Sequence, residues 1–317
     1  VHVWKTIIVN TPKALKEMMS THVMSMVESL SCPASERRSN AGRALGDLVR
    51  KLGERVLPEV IPILRKGLQD PDSNLRQGVC FGLSELMDAA SKQQLIDYTD
   101  DLIPTVRDAL CDEDDEVRSA AGAAFMTLYK AVGNSLIEQI VPTLLKRLEE
   151  SDDALDGLRQ LCSNEAVVEY LVPNLVKPPM KEQKARAIQV LAEVCDDRAT
   201  EYIEALLPPL LPGMADEELC ESCTLAAESI VNVVDDEDGL EILMAEVVKA
   251  LTYGSKNIKA SGARVAGIMF TVHAGSMKHE RKASLYQTLI GLADDEDDEV
   301  LKVGRTTFAV LLSLQSH

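Results

Sequence analysis

Cys220 and Cys223 form a C-x-x-C spacing, which thiol redox centres and zinc sites both use. A structural zinc ion takes four ligands, and no second cysteine pair accompanies this one. A thioredoxin-like redox centre needs a βαβ setting, whereas these cysteines stand in an amphipathic helical pattern. A buried helix face produces the same spacing of three, so we interpret the pair as core packing.

The five histidines, at positions 2, 22, 273, 279 and 317, include no i, i+4 pair of the kind that binds zinc on one helix. His279 and Glu280 form one His-Glu pair, which supplies too few ligands for a metal centre. The sequence also lacks a Gly-rich phosphate loop, a nucleophile elbow and a kinase signature. We therefore predict no catalytic residue, no cofactor, no bound metal and no enzymatic activity.

Acidic and basic residues recur in a fixed order. Asp70 precedes Arg76 and Asp112 precedes Arg118, with each acid in a polar turn and each base near the start of a helical pattern. Bases start two further patterns of this kind: Arg38 and Lys184. This order predicts a structural ladder in which the acid caps a helix and accepts hydrogen bonds from a base. The alternative is that the same bases bind a ligand.

The elements that position these residues are repeated pairs of helices. The segments IPILRKGLQD, IPTVRDALCD and VPTLLKRLEE superimpose on their prolines, and the second helices RSNAGRALGDL, RQGVCFGLSEL and RSAAGAAFMTL superimpose on their first arginine. The mean period is about 37 residues, at the short end of the range for HEAT and armadillo repeats. We predict an all-α, right-handed HEAT-repeat solenoid of about eight helical pairs.

The repeat occupies the whole chain, 1–317, with units that begin near residues 13, 54, 96, 135, 165, 200, 238 and 279. Both ends are apolar, at VHVWKTIIV and FAVLLSLQSH, whereas terminal repeats of a solenoid are polar. We therefore expect a piece of a longer array. Aromatic residues make up only 3% of the chain, which favours stacked helices over a β-sandwich or a tetratricopeptide array.

The chain carries a net charge of −18, which argues against a protein that wraps nucleic acid. Acids cluster at 112–116, 149–153, 216–218, 235–238 and 294–299, mostly in turns between paired helices. We expect an acidic ridge, which is either a solvated edge or a surface for a basic partner. The bases between residues 37 and 66 are interleaved with acids and lack aromatic neighbours, so we interpret them as an ordinary charged helix face. The alternative is contact with phosphate, without a device that reads sequence.

No apolar run reaches the roughly 18 residues that span a bilayer, and Val1 opens no signal peptide. The seven cysteines are odd in number and show no disulfide framework. We expect a cytoplasmic protein without a membrane segment and with reduced cysteines.

Residues 40–68, NAGRALGDLVRKLGERVLPEVIPILRKGL, and residues 76–87, RQGVCFGLSELM, resemble the C-terminal HEAT array of the general-control translational activator family. The similarity continues through ALCDEDDEVRSAA, ALDGLRQL and YLVPNLVKPP, and it covers roughly the first 180 residues. The resemblance implies a scaffold that associates with ribosomes and activates the kinase of the initiation factor 2 α-subunit in the amino-acid starvation response.

The resemblance also implies that the scaffold docks the RWD domain of that kinase. Such a segment would fall near residues 240–317, where Lys256, Lys259 and Arg264 are the candidate partner-binding residues. We expect no sequence-specific contact with nucleic acid. A karyopherin-like receptor and a phosphatase-type scaffold remain alternatives, since both are HEAT solenoids.

Overall fold

The computed structural model describes residues 21–23, 25–52, 57–148, 153–273, 275, 277–292 and 300–307. Within these ranges every regular element is a helix and no strand occurs. The chain divides into two compact units, residues 1–161 and 162–317. None of the described helices has the length and apolar character that crossing a bilayer requires.

Helices of the first unit alternate between first and second members of a pair. Residues 21–23 and 25–30 are helical. The labelled helices are α1 (Ser35–Leu52), α2 (Leu57–Gly67), α3 (Ser73–Ala89), α4 (Lys92–Asp97), α5 (Thr99–Ala109), α6 (Asp115–Val132), α7 (Asn134–Arg147) and α8 (Asp153–Leu161).

Local sequence explains where several of these helices begin and end. Asp72 caps α3 by accepting a hydrogen bond from the Asn74 amide, and Asp114 caps α6 in the same manner. Ser91 and Gln94 form a capping box at the start of α4. Gly133, with φ of 72°, ends α6 in the left-handed region that glycine adopts readily.

The first unit is built from two layers of helices. The first helices α2, α5 and α7 contact one another in sequence, as do the second helices α1, α3, α6 and α8. Gly78 and Gly157 permit the close approach, because a Cβ at either position would overlap a main-chain carbonyl of Leu30 or Leu110. Small residues at these positions therefore set the helix spacing.

The second unit repeats the pattern with a less regular middle. Its helices are α9 (Glu165–Leu175), α10 (Glu182–Cys195), a 3₁₀ helix (Asp196–Tyr202), α11 (Ile203–Leu206), α12 (Leu210–Gly213), α13 (Cys220–Asn232), α14 (Glu237–Tyr253), α15 (Lys256–His273) and α16 (His279–Gly291). Residues 300–307 are also helical. Pro208 and Pro209 separate α11 from α12, because a proline removes an amide donor and clashes with the preceding turn.

Second helices of this unit pack in the order α10, α13, α15, while α11, α14 and α16 contact one another in sequence among the first helices. His273 is buried in α15, where its Nε2 lies 2.7 Å from the carbonyl oxygen of Val231 in α13. This histidine therefore serves packing between second helices.

The prediction of an all-α fold built from HEAT-type helical pairs is confirmed. The right-handed sense, the number of pairs and the unit boundaries stay predictions. The apolar segments VHVWKTIIV and FAVLLSLQSH lie outside the described residues.

Candidate functional site

The arginines near the start of the second helices close their own turns. Arg76 donates from Nη1 to the carbonyl oxygens of Asp70 and Pro71 at 2.9 and 3.2 Å. Arg118 donates in the same way to the carbonyl oxygen of Asp112 at 2.6 Å. Arg38 repeats the geometry with the carbonyls of Cys32 and Pro33, at 3.0 and 3.1 Å. A cation six residues after the turn thus satisfies carbonyls that the ends of helices leave open.

Arg76 also joins one helical pair to the next. Its Nε and Nη2 donate to the two carboxylate oxygens of Asp112 at 2.8 and 2.9 Å, with both side chains at least nine-tenths buried. These hydrogen bonds raise the pKa of Arg76, although its burial acts in the opposite direction. Because the carbonyl of Asp112 binds Arg118, one aspartate connects two successive arginines. We call the chain Arg76, Asp112, Arg118 the arginine ladder.

Arg118 extends the ladder to the following pair. Its side chain is 5% exposed, forms an ion pair with Asp115 and lies 3.2 Å from Asp156 in α8. Asp153, at 3.6 Å, is a further carboxylate within ion-pair distance. A buried guanidinium surrounded by three acids in this way links α6 to α8.

Three members of the expected ladder behave differently. The carboxylate of Asp70 accepts from the amide of Asp72 at 3.0 Å, and no ion pair joins it to Arg38 in the part of the chain that the structure describes. Lys184 donates to the carbonyls of Lys177 and Pro179, and no carboxylate among the described residues pairs with it. Burial and the charges of Lys181 and Lys177 lower the pKa of Lys184. Asp70, Arg38 and Lys184 therefore serve their own turns rather than a link between pairs.

Acids in the turns are largely engaged within the protein. Asp114 accepts from the amides of Glu116 and Val117 at 3.0 and 3.3 Å. Burial would raise its pKa, but hydrogen bonds from Ser73 and these two amides outweigh that effect and lower it. Asp216 and Asp236 cap their turns or helices similarly. This engagement favours the structural interpretation of the acidic ridge, while residues 149–152 and 294–299 lie outside the described part.

One cysteine of the C-x-x-C spacing has the chemistry of a buried thiol. Cys223 is fully buried, and burial together with Cys220 and Asp216 raises the pKa of Cys223 to about 11. A thiol with that pKa is not the thiolate that redox and metal chemistry need. Among the described residues, no group of three or more His, Cys, Asp or Glu side chains is arranged to hold a metal ion.

The candidate partner-binding residues lie in the first half of α15. Lys256 is exposed and Lys259 is half-buried. Arg264 is half-buried, and its Nη1 donates to the carbonyl oxygen of Met214 at 3.0 Å and lies 3.6 Å from Cys220 Sγ. Its guanidinium therefore bridges α15 to the turn before α13, and the assignment of Arg264 to partner binding stays a prediction.

Tyr253 is a surface residue that the sequence argument missed. Its side chain is 85% exposed at the end of α14, and two residues separate it from the start of α15. The buried face of α14 repeats through Leu240, Leu243, Val247 and Leu251, and Tyr253 stands off that spacing. The signal in the sequence is a large aromatic residue outside the apolar face of its helix, in a chain with few aromatic residues.

Comparisons with known proteins agree with the repeat architecture. A family model described as "Stalled ribosome sensor GCN1-like, HEAT repeats" matches residues 167–316. The human protein "Stalled ribosome sensor GCN1" is 35% identical over 316 residues, and the alignment covers 95% of this chain. The chain belongs to the GCN1 family. GCN1 similarity thus extends well beyond the first 180 residues on which the sequence resemblance rests.

Two further relatives support this assignment. "eIF-2-alpha kinase activator GCN1" of Saccharomyces cerevisiae is 33% identical over 261 residues, which cover 79% of this chain and 10% of the relative. "Protein ILITYHIA" of Arabidopsis thaliana is 45% identical over 309 residues, with 95% of this chain and 11% of the relative covered. The chain therefore spans about a tenth of the length of the GCN1 proteins it matches.

Other matches reflect the helical repeat and are not specific to the GCN1 family. A model for "non-SMC mitotic condensation complex subunit 1" matches residues 38–201, a stretch over which human GCN1 also aligns. Importin β aligns with 94% of this chain and 42% of its own at 16% identity and a TM-score of 0.41. A likeness of that degree carries no argument for a karyopherin function.

Proposed function

We propose that this chain is a docking segment of a cytoplasmic GCN1-type scaffold that works without catalysis. Two GCN1 relatives are named as an activator of the eIF-2-alpha kinase and as a sensor of stalled ribosomes. HEAT arrays serve such roles because stacked helices present long surfaces. In this proposal the ribosome is reached through the full-length protein, and this segment contributes to binding the kinase.

The docking surface that we propose is the turn between α14 and α15, with Tyr253, Lys256 and Lys259, which we call the tyrosine-lysine turn. The exposed ring of Tyr253 is the observation that carries the proposal. Tyrosine is enriched at protein interfaces, since it adds a large apolar area and a polar tip. The turns before α3 and α6 are acidic, whereas this one places lysine at the first residue of the helix.

The partner that this surface fits is an acidic patch on the RWD domain of the kinase. Lysine charges at the edge of an interface accelerate association with an acidic partner, and a buried aromatic ring provides most of the affinity. Arg264 contributes indirectly in this proposal, because its bond to the Met214 carbonyl helps to hold α15 in place.

Capture of the purified RWD domain by the 317-residue chain tests the proposal. We expect Tyr253→Ala to weaken capture by about tenfold or more, as loss of an anchor worth at least about 1.4 kcal/mol would. Lys256→Glu with Lys259→Glu should weaken capture more at low salt than at physiological salt, where charges are screened.

Matched controls separate the surface from general charge and apolar effects. Ile96→Ala removes another exposed apolar side chain, and Lys92→Glu with Lys130→Glu reverses two exposed lysines elsewhere. Melting followed by circular dichroism establishes that each variant is folded. Equal capture by the turn variants and the controls would reject the tyrosine-lysine turn, and absence of capture by the unaltered chain would place docking elsewhere in GCN1.

A further inference from the structure

Cations gather at the ends of the first helices in the first unit. The last turn of α2 carries Arg65 and Lys66, that of α5 carries Arg107, and that of α7 carries Lys146 and Arg147. Because α2 contacts α5 and α5 contacts α7, these turns follow one another along one edge of the unit. We call these five side chains the basic row.

One carboxylate orders part of this row. Asp108 Oδ1 accepts from Arg107 Nη2 at 3.0 Å and from Arg147 Nη2 at 2.9 Å, so that two guanidinium groups of neighbouring helices share it. Sharing one acid between two arginines leaves a net positive charge and fixes the two side chains side by side. Donors held in place in advance lose less entropy when a ligand binds.

The other cations of the row are unengaged. Arg65, Lys66 and Lys146 are exposed, and none of them forms a hydrogen bond or an ion pair with any residue that the structure describes. A cavity of about 420 Å³ lies between the ends of α2 and α5. Its lining includes Pro62, Arg65, Lys66, Gln69, Thr105 and Asp108.

Acids also stand in the adjoining turns. Asp112 is bound by Arg76, whereas Asp72 accepts from a neutral amide at the start of α3 and keeps its negative charge. Salt at physiological strength screens exposed charges over about 8 Å, so a ligand in contact with the row responds mainly to its nearest cations.

We propose that the basic row binds the phosphate backbone of duplex RNA without reading its sequence. This goes beyond the docking proposed for the tyrosine-lysine turn and does not depend on it. Arginine forks match phosphate geometry, and duplex RNA is recognised mostly by its shape and by phosphate and sugar contacts. The charge of the whole chain opposes general binding of nucleic acid, which restricts the contact to this edge.

The composition of the row distinguishes RNA from a protein partner. A protein interface has an apolar centre, whereas nucleic-acid interfaces are polar and positively charged. The exposed large apolar side chains of the described chain are Phe81, Ile96, Leu225, Tyr253, Val272 and Ile290, and none belongs to the helices that carry the row. The row also has no aromatic ring on which a single-stranded base would stack, which favours a duplex.

Fluorescence anisotropy with a labelled RNA duplex of about 16 base pairs tests the proposal between about 50 and about 200 mM salt. We expect the 317-residue chain to bind, with affinity that falls steeply as salt rises. Arg65→Gln with Lys66→Gln should weaken binding and reduce the slope of log affinity against log salt by about one for each lost contact, about two in all.

Lys92→Gln with Lys130→Gln is the matched control, because it removes the same charge from two exposed lysines outside the row. This control should leave the salt slope unchanged. An equal loss of affinity in the row variant and in the control variant would show a general charge effect and overturn the proposal. The absence of binding at the lowest salt would also overturn it. Tighter binding of poly-glutamate than of the duplex would assign the row to an acidic protein instead.

Discussion

The two units use the same repeat differently at one position. In the first unit, Arg76 closes its own turn and also binds Asp112 of the next pair. In the second unit, the equivalent Lys184 donates only to the carbonyls of its own turn, so far as the described residues show. The planar guanidinium has enough donors to bind carbonyls and a carboxylate together, whereas the ammonium is a single point of charge. The repeat pattern therefore fixes where a cation stands, and the residue type decides whether it links neighbours.

The largest effect should follow from breaking the ladder at its centre. Asp112→Ala removes the buried, two-oxygen partner of the Arg76 guanidinium and leaves only the exposed carboxylate of Glu113 at 3.2 Å. Removing one partner of a buried pair costs about 3–5 kcal/mol. We expect the free energy of unfolding, measured with urea and circular dichroism, to fall by that amount. Hydrogen exchange in α3 and α6 should become faster. A shift no larger than that of Lys184→Ala would remove the distinction between the two units.

Arg118→Ala should have the next largest effect. The side chain is 5% exposed and donates to a carbonyl and to acids, and hydrogen bonds of charged groups contribute about 1.5–3 kcal/mol. We therefore expect a lower melting temperature. Since a ligand-binding role is the alternative for this arginine, an unchanged melting curve with loss of partner binding would assign it to a contact surface.

Acid should affect the first unit through Asp114. Hydrogen bonds hold its folded pKa below its ordinary value, so its stabilising contribution is present above the unfolded pKa and disappears as pH falls through the folded pKa. Asp114→Asn should therefore make stability less dependent on pH below about pH 4. Urea midpoints measured at several acidic pH values test this. A midpoint that depends on pH as steeply in the variant as in the unaltered chain would contradict it.

The smallest effect should come from Lys184. Its folded pKa is lowered, so the charged form is less favourable in the folded protein and stability rises with pH up to the unfolded pKa. Lys184→Met removes this unfavourable charge together with two hydrogen bonds to carbonyls, and we expect a net change within about 1 kcal/mol. A loss comparable to that of Asp112→Ala would show that the second unit depends on this position as strongly as the first.

Much of the ladder was accessible from spacing. The order of Asp70 with Arg76 and of Asp112 with Arg118 led to a structural interpretation, and the structure places Arg76 and Arg118 in contact with the carbonyls of Asp70 and Asp112. Sequence could not tell which acid each arginine would reach in the next pair. That choice depends on the rise and rotation between helical pairs, which bring Asp112 to Arg76 and leave Asp70 away from Arg38.

By itself, the sequence determined the helical pairs, their small-residue contacts and the membership of the family. Periodicity and caps are local properties, and the glycines at 78 and 157 permit close packing wherever their helices meet. Only the tertiary structure decided which charges remain available. The sequence makes Arg264 a candidate for partner binding, and the structure adds a hydrogen bond from its guanidinium to a carbonyl 50 residues earlier. In the sequence Arg65 and Lys66 belong to an ordinary charged helix face, and the stacking of α2 on α5 gathers them with Thr105 and Asp108 around one cavity. Contacts between distant residues depend on packing geometry, which no local pattern contains.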